Sequence, residues 1–119
     1  MVNLDTHLLV FALDGTVTPH ERRILAANTW SVSAIVFWEL AKLGQLGRID
    51  VDLEDAEVVR VLSAIQVWPL DLTVALQSTR LDFASDPADE LIAATSVVHN
   101  VPLLTRDRRI RRSKMVPLA

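Results

Sequence analysis

Met1-Val2-Asn3-Leu4-Asp5-Thr6-His7-Leu8-Leu9-Val10-Phe11-Ala12-Leu13 is the stretch that decides the architecture. Met1 to Asp5 reads as a short strand and Thr6 to Leu13 as a short buried helix, with an acid at the junction. Asp14-Gly15 then marks a turn. Thr18 as N-cap, Pro19 at the first helical position and Glu21 as the reciprocal partner make a capping box for a helix to about Ala27. A second strand, Thr29 to Val32, leads into a helix from Ala34 to about Leu46, which Ser33 caps and Gly47 ends.

The rest of the chain repeats this alternation. Val58, Val61, Leu62 and Ile65 are spaced by three and four, predicting a helix from about Leu53 to Ile65. Gln66 to Leu70 is a third strand, followed by a helix from Asp71 to about Phe83. Asp86-Pro87 starts a helix through His99, Val101 to Thr105 is a fourth strand, and Lys114 to Leu118 a short fifth. Alternating strands and helices predict an α/β fold, a mainly parallel five-stranded sheet between helical layers. Residues 1–119 are expected to form one domain, burying roughly two thirds of the unfolded surface.

Composition narrows the chemistry. Half the residues are hydrophobic, and the absence of cysteine removes disulfides and thiolate metal sites, as a reducing cytoplasm would favour. The opening residues do not read as an export signal, so export is not expected, and the apolar runs Leu8–Leu13 and Ala34–Trp38 are too short to cross a bilayer. The net charge of −3 argues against general nucleic-acid affinity, but it conceals an asymmetry. Six of the twelve Lys and Arg residues lie between Arg106 and Lys114, whereas five acids cluster between Asp50 and Glu57. A basic block of that density attracts phosphate locally.

Four acids stand where acids are costly. Asp5 closes the first strand, Glu39 interrupts Ala34-Ile35-Val36-Phe37-Trp38-Glu39-Leu40-Ala41, Asp89 lies in the first turn of its helix, and Asp107 follows the fourth strand. Carboxylates in apolar surroundings need a neutralising charge. Each alone reads better as a helix cap or a strand end at a solvated edge. Together they point to a shared divalent metal, Mg²⁺ or Mn²⁺, which takes hard oxygen ligands. In parallel sheets ligands bind beyond the carboxyl ends of the strands, where Asp5 and Asp107 meet if their strands are neighbours. Two such ions activate water and stabilise the leaving oxygen in phosphodiester cleavage. Thr6 and Thr105 are candidate supporting hydroxyls, and Arg106 and Arg108, flanking Asp107, are the candidate phosphate contacts.

The segments Asn3-Leu4-Asp5-Thr6-His7, Ser31-Val32-Ser33-Ala34 through Trp38-Glu39-Leu40-Ala41-Lys42, Asp86-Pro87-Ala88-Asp89 through Ile92-Ala93-Ala94-Thr95, and Leu104-Thr105-Arg106-Asp107 resemble the PIN-domain family, above all its VapC-type toxins of bacterial toxin–antitoxin pairs. The resemblance spans nearly the whole chain in order. It implies a PIN-like three-layer α/β sandwich and a Mg²⁺- or Mn²⁺-dependent endoribonuclease whose acidic positions fall on Asp5, Glu39, Asp89 and Asp107. It further implies an RNA substrate, a cognate antitoxin that covers the acidic cleft with an inserted basic residue, and a toxin homodimer. Glu90 departs from the pattern, since such sequences often carry Arg there. The competing readings are a catalytically weak PIN domain that binds RNA or a partner, and a DNA-directed nuclease.

Other motifs fall away. Phe11-Ala12-Leu13-Asp14-Gly15-Thr16 lacks the nucleophilic Asp that a haloacid-dehalogenase-like phosphatase needs, because Ala12 stands in its place. His7, His20 and His99 form no zinc-binding pair, and no Gly-x-Ser-x-Gly elbow is present. Trp30, Trp38 and Trp68 are expected to pack the core or an interface.

Overall fold

The computed structural model describes residues 1–119 and places four parallel strands in the order β3-β2-β1-β4. The strands are β1 (Val2–Leu4), β2 (Trp30–Ser33), β3 (Gln66–Trp68) and β4 (Leu103–Leu104), and the helices are α1 (Thr6–Asp14), α2 (Pro19–Ala27), α3 (Ala34–Gln45), α4 (Ala56–Ser63), α5 (Leu72–Ser78), α6 (Pro87–His99) and α7 (Arg108–Arg111). Successive strand residues point to opposite faces, yet every residue of β1 and β4 is buried, as are Ser31, Val32 and Ser33 of β2. Both faces of the sheet centre are therefore covered, as a parallel sheet requires.

Local chemistry explains the junctions. The Asp5 carboxylate accepts the Leu8 N–H at 2.8 Å and so caps α1, whose far end Gly15 closes at φ 81°. The capping box of α2 is complete: the Glu21 N–H donates to Thr18 Oγ1 at 3.1 Å and the Thr18 N–H to Glu21 Oε1 at 2.9 Å. Ser33 caps α3 directly after β2. Leu8, Leu9, Val36, Leu40, Ile92 and Leu103 are fully shielded and bring α1, α3 and α6 onto the sheet.

Where element limits differ from expectation, side chains compete for the backbone. The expected fifth strand over Lys114–Leu118 shrinks to one bridge between Leu103 and Leu118, so the sheet has four strands, not five. Ser113 Oγ accepts the Met115 and Val116 N–H groups at 3.0 and 3.2 Å, bending this segment, and Pro117 has no N–H for a ladder. Helix α5 ends at Ser78, well before Phe83, because the Ser78 and Thr79 hydroxyls donate back to Ala75 and Leu76 carbonyls at 2.6 and 2.7 Å. Helix α4 starts at Ala56, where Asp55 caps it, and Asp52 accepts the Glu54 N–H at 2.9 Å in the preceding turn. Trp30 and Trp68 are half-buried, Trp68 stacking on His99 with centroids 4.1 Å apart, whereas Trp38 is exposed.

The strand order positions the site. β1 has β2 on one side and β4 on the other, so the chain reverses its direction of travel across the sheet at β1. A parallel sheet opens a crevice at such a point, beyond the carboxyl ends of its strands. The register pairs Leu4 with Leu104 and therefore sets Asp5 beside Thr105.

Candidate active site

Asp5, Asp89 and Asp107 line one cavity of about 300 Å³ together with His7, Phe11 and Arg106. Asp5 is only 7% exposed. Its Oδ1 accepts the Leu8 N–H and its Oδ2 the Thr105 hydroxyl. Burial raises its pKa, against the lowering effect of those two bonds and of His7. Asp89, in the first turn of α6, is also raised, first by burial and then by the charges of Glu39 and Asp107. Its one hydrogen-bond donor, Ser85 Oγ, stands 3.3 Å away.

Hydroxyls organise the acids. Thr105 Oγ1 donates to Asp5 and accepts the Asp107 N–H at 3.0 Å, so one side chain ties the β1 acid to the β4 acid. Thr6 donates to Glu39, joining α1 to α3. Asp107 caps α7, accepting the Arg109 and Ile110 N–H groups at 2.8 and 3.2 Å. Arg106 borders this cavity but leans the other way. Its Nε and Nη2 donate to Glu21 at 2.8 and 2.7 Å, and its guanidinium lies 4.0 Å from the Phe11 ring centroid. Glu21 is held at a pKa of about 2, chiefly by Arg106.

The donor set suits a hard divalent cation: Asp89 is raised by burial and then by the neighbouring carboxylates, and no lysine or arginine is paired to any of the four. No three His, Asp or Glu side chains stand close enough to share one ion, so a bound ion would draw the acids inward.

A PIN domain model matches residues 2–114. The chain belongs to the PIN-domain family. Ribonuclease VapC22 of Mycobacterium tuberculosis (strain ATCC 25618 / H37Rv) is 35% identical to it over 89 residues, which are 71% of this chain and 68% of that protein. Among solved structures, VapBC2 from Rickettsia felis, bound to a DNA fragment from their promoter, superposes with a TM-score of 0.75 at 19% identity, covering 100% of this chain and 98% of that one. FitAcB from Neisseria gonorrhoeae superposes with a TM-score of 0.64 at 23% identity, over 92% and 90% of the two chains. At such identities these structures share the fold.

In this PIN domain, Asp5, Asp89 and Asp107 line the cavity, while Glu39 stands outside its wall and acts on Asp89 through its charge. Glu90 turns to the loop before α6, where its Oε2 accepts the Ser85 N–H at 3.4 Å. Arg108 borders a different cavity, on the far side of Arg106. Three contributors are not among the site residues that sequence reasoning predicts. His7 enters the cavity because Asp5 caps α1 and sets His7 in its first turn, a placement that the short spacing from Asp5 encodes. Phe11 and Glu21 hold Arg106 across more than eighty positions, and no local pattern encodes that contact.

Proposed function

We propose that this PIN domain is a Mg²⁺- or Mn²⁺-dependent endoribonuclease, the toxin of a toxin–antitoxin pair, with Asp5, Glu39, Asp89 and Asp107 as its metal-holding acids. The observation that carries this reading is the convergence of Asp5, Asp89 and Asp107 on one cavity at the sheet switch point, with two of them held above the ordinary carboxylate range. A bound divalent ion supplies Lewis-acid activation of water and neutralises phosphate charge. The chain's own residues supply the rest. Leu8 N–H and Thr105 fix the rotamer of Asp5, Thr6 fixes Glu39, and the α7 cap fixes Asp107. Burial of Asp5 excludes the bulk water that would otherwise screen its charge.

The likeness to Ribonuclease VapC22 supports RNA as the substrate. An antitoxin partner is supported by fold neighbours described as VapBC structures and as a toxin–antitoxin complex from Klebsiella pneumoniae. A basic side chain of that partner, entering the cavity, would supply the positive charge the acids lack. A homodimer and a cytoplasmic location complete the reading, and no helix is long and apolar enough to cross a membrane.

End-labelled RNA tests the reaction. Products with a 5′-phosphate and a 3′-hydroxyl, lost on adding EDTA, are expected; a 2′,3′-cyclic phosphate, or cleavage indifferent to EDTA, would overturn it. The lack of a preformed three-ligand shell favours one second reading, a binding module without catalysis. Growth arrest on expression that Asp5→Asn relieves separates the enzyme from that module.

A further inference from the structure

On the far side of Arg106 lies a second cavity, of about 380 Å³, whose charge is opposite to the first. Thr18 and His20 at the start of α2, Arg106 after β4, and Arg108 and Arg111 of α7 border it, with Glu21 as its one acidic side chain and Ala119 also at its wall. Glu21 is engaged by Arg106, and this pair and Arg60–Glu57 are the ion pairs of the chain. Arg108 and Arg111 therefore border the cavity without a carboxylate partner; Arg111 has only the Thr105 carbonyl, at 3.3 Å. Arg106 uses Nε and Nη2 on Glu21 and the Thr16 carbonyl, leaving Nη1 without an acceptor in the protein.

Resting on the nuclease reading above, we propose that this cavity is a subsite for a backbone phosphate of the RNA adjoining the scissile one, bound by Arg108, Arg111 and His20. An acidic cavity repels every phosphate that is not covered by metal, so a strand lying across it needs a neighbouring cation to hold it in register. Guanidinium forks match phosphate oxygens in pairs, and the Thr18 and His20 side chains add donors from a separate element. The two cavities share Arg106 as their wall, so a strand leaving the acids passes directly to the arginines. The shared chemistry is a phosphodiester of RNA or of DNA, and the test separates them.

Short single-stranded RNA carrying one neutral methylphosphonate linkage, moved along the strand, is titrated into the parent protein and into Arg108→Gln/Arg111→Gln, with and without Mg²⁺, by fluorescence anisotropy. In the parent, one linkage beside the cleavage position should weaken binding roughly tenfold, the loss of a charge-assisted contact. In the double variant that linkage should no longer matter, and the salt slope should fall by about 0.7, for the one phosphate the subsite neutralises. Arg112→Gln, outside the cavity, should behave as the parent and guards against a general charge effect. The same scan on DNA identifies the source: coupling on RNA alone, or on both, supports the subsite, and coupling on neither or on DNA alone overturns it. An unchanged salt slope in a folded double variant overturns it too. If one linkage couples to the arginines but the parent does not cleave, the nuclease reading falls and the cavity stands as a backbone-phosphate site alone. Cleavage without the coupling leaves the nuclease reading standing and removes the subsite.

Discussion

Replacing Glu21 by Gln probes the wall between the two cavities. Glu21 is 7% exposed and accepts Arg106 Nε and Nη2, besides the Thr18 N–H of the capping box. Its pKa stands at about 2 against an ordinary 4.5, with the Arg106 hydrogen bond as the largest cause. A shift of that size corresponds to about 3 kcal/mol of linkage. The Arg106 side chain is 42% exposed, so solvent screening reduces the figure to about 2 kcal/mol. Gln is isosteric and keeps an acceptor for Thr18, so the difference reports the charge more than the cap. For a domain of this length, about 2 kcal/mol lowers the Tm by roughly 8 °C. The pH dependence fixes the cause. A depressed carboxylate contributes its stability above the unfolded pKa and loses it as pH falls through the folded one. Parent and variant should therefore differ by a constant amount from pH 7 to about 5.5, and converge between 4.5 and about 2. Denaturant midpoints of both proteins across that range are the assay. A gap that persists at pH 2, or no gap at pH 7, would refute the electrostatic reasoning.

Other consequences follow from the acids. With a Kd of about 1 mM, about 10 mM Mg²⁺ should stabilise the parent by roughly 1.4 kcal/mol, a Tm rise of roughly 5 °C, which Asp5→Asn combined with Asp107→Asn should abolish in a thermal melt. The metal-free parent should lose stability relative to Asp5→Asn as pH rises through the elevated pKa of Asp5, because a raised carboxylate favours folding only while protonated; denaturant midpoints in EDTA check the sign. Thr105→Val removes the hydroxyl that serves both Asp5 and the Asp107 N–H and should cost about 1–3 kcal/mol in chemical denaturation, with Thr105→Ser restoring most of it.

Legibility follows the range of the interactions. The Thr18–Pro19–Glu21 capping box, the Ser33 cap and the turn at Asp14-Gly15 are decided within a few residues, and each is readable from the sequence. The fifth strand is not, because Lys114–Leu118 has strand composition while Ser113 takes up the Met115 and Val116 N–H groups and Pro117 has no N–H to offer. Helix α7 escapes for a related reason: its basic residues suggest a charged surface, and only the Asp107 cap turns them into one helical turn. At the candidate site, an acid out of place is a local signal, so Asp5 and Asp107 stand out. The partner of Arg106 lies 85 positions away and has no such signal.

That long-range pair bears on why the acids stay without a basic partner. Arg106 borders the acidic cavity and follows Thr105, whose hydroxyl already holds Asp5, so it is the cation closest at hand for neutralising the site. An arginine folded onto Asp5 and Asp107 would give them the partner that buried carboxylates require, and an external ion would then have to displace it. Glu21 prevents this by offering a paired carboxylate on the opposite side, reinforced by the Phe11 ring beneath the guanidinium. The capping box thus does more than start α2: it fixes the Glu21 rotamer that keeps Arg106 turned away. Glu21→Gln should weaken that hold and let Arg106 compete for the acids, so the Mg²⁺-induced rise in Tm should shrink in this variant although every carboxylate of the cavity is intact. An undiminished rise would mean that Arg106 is kept from the acids by backbone geometry alone.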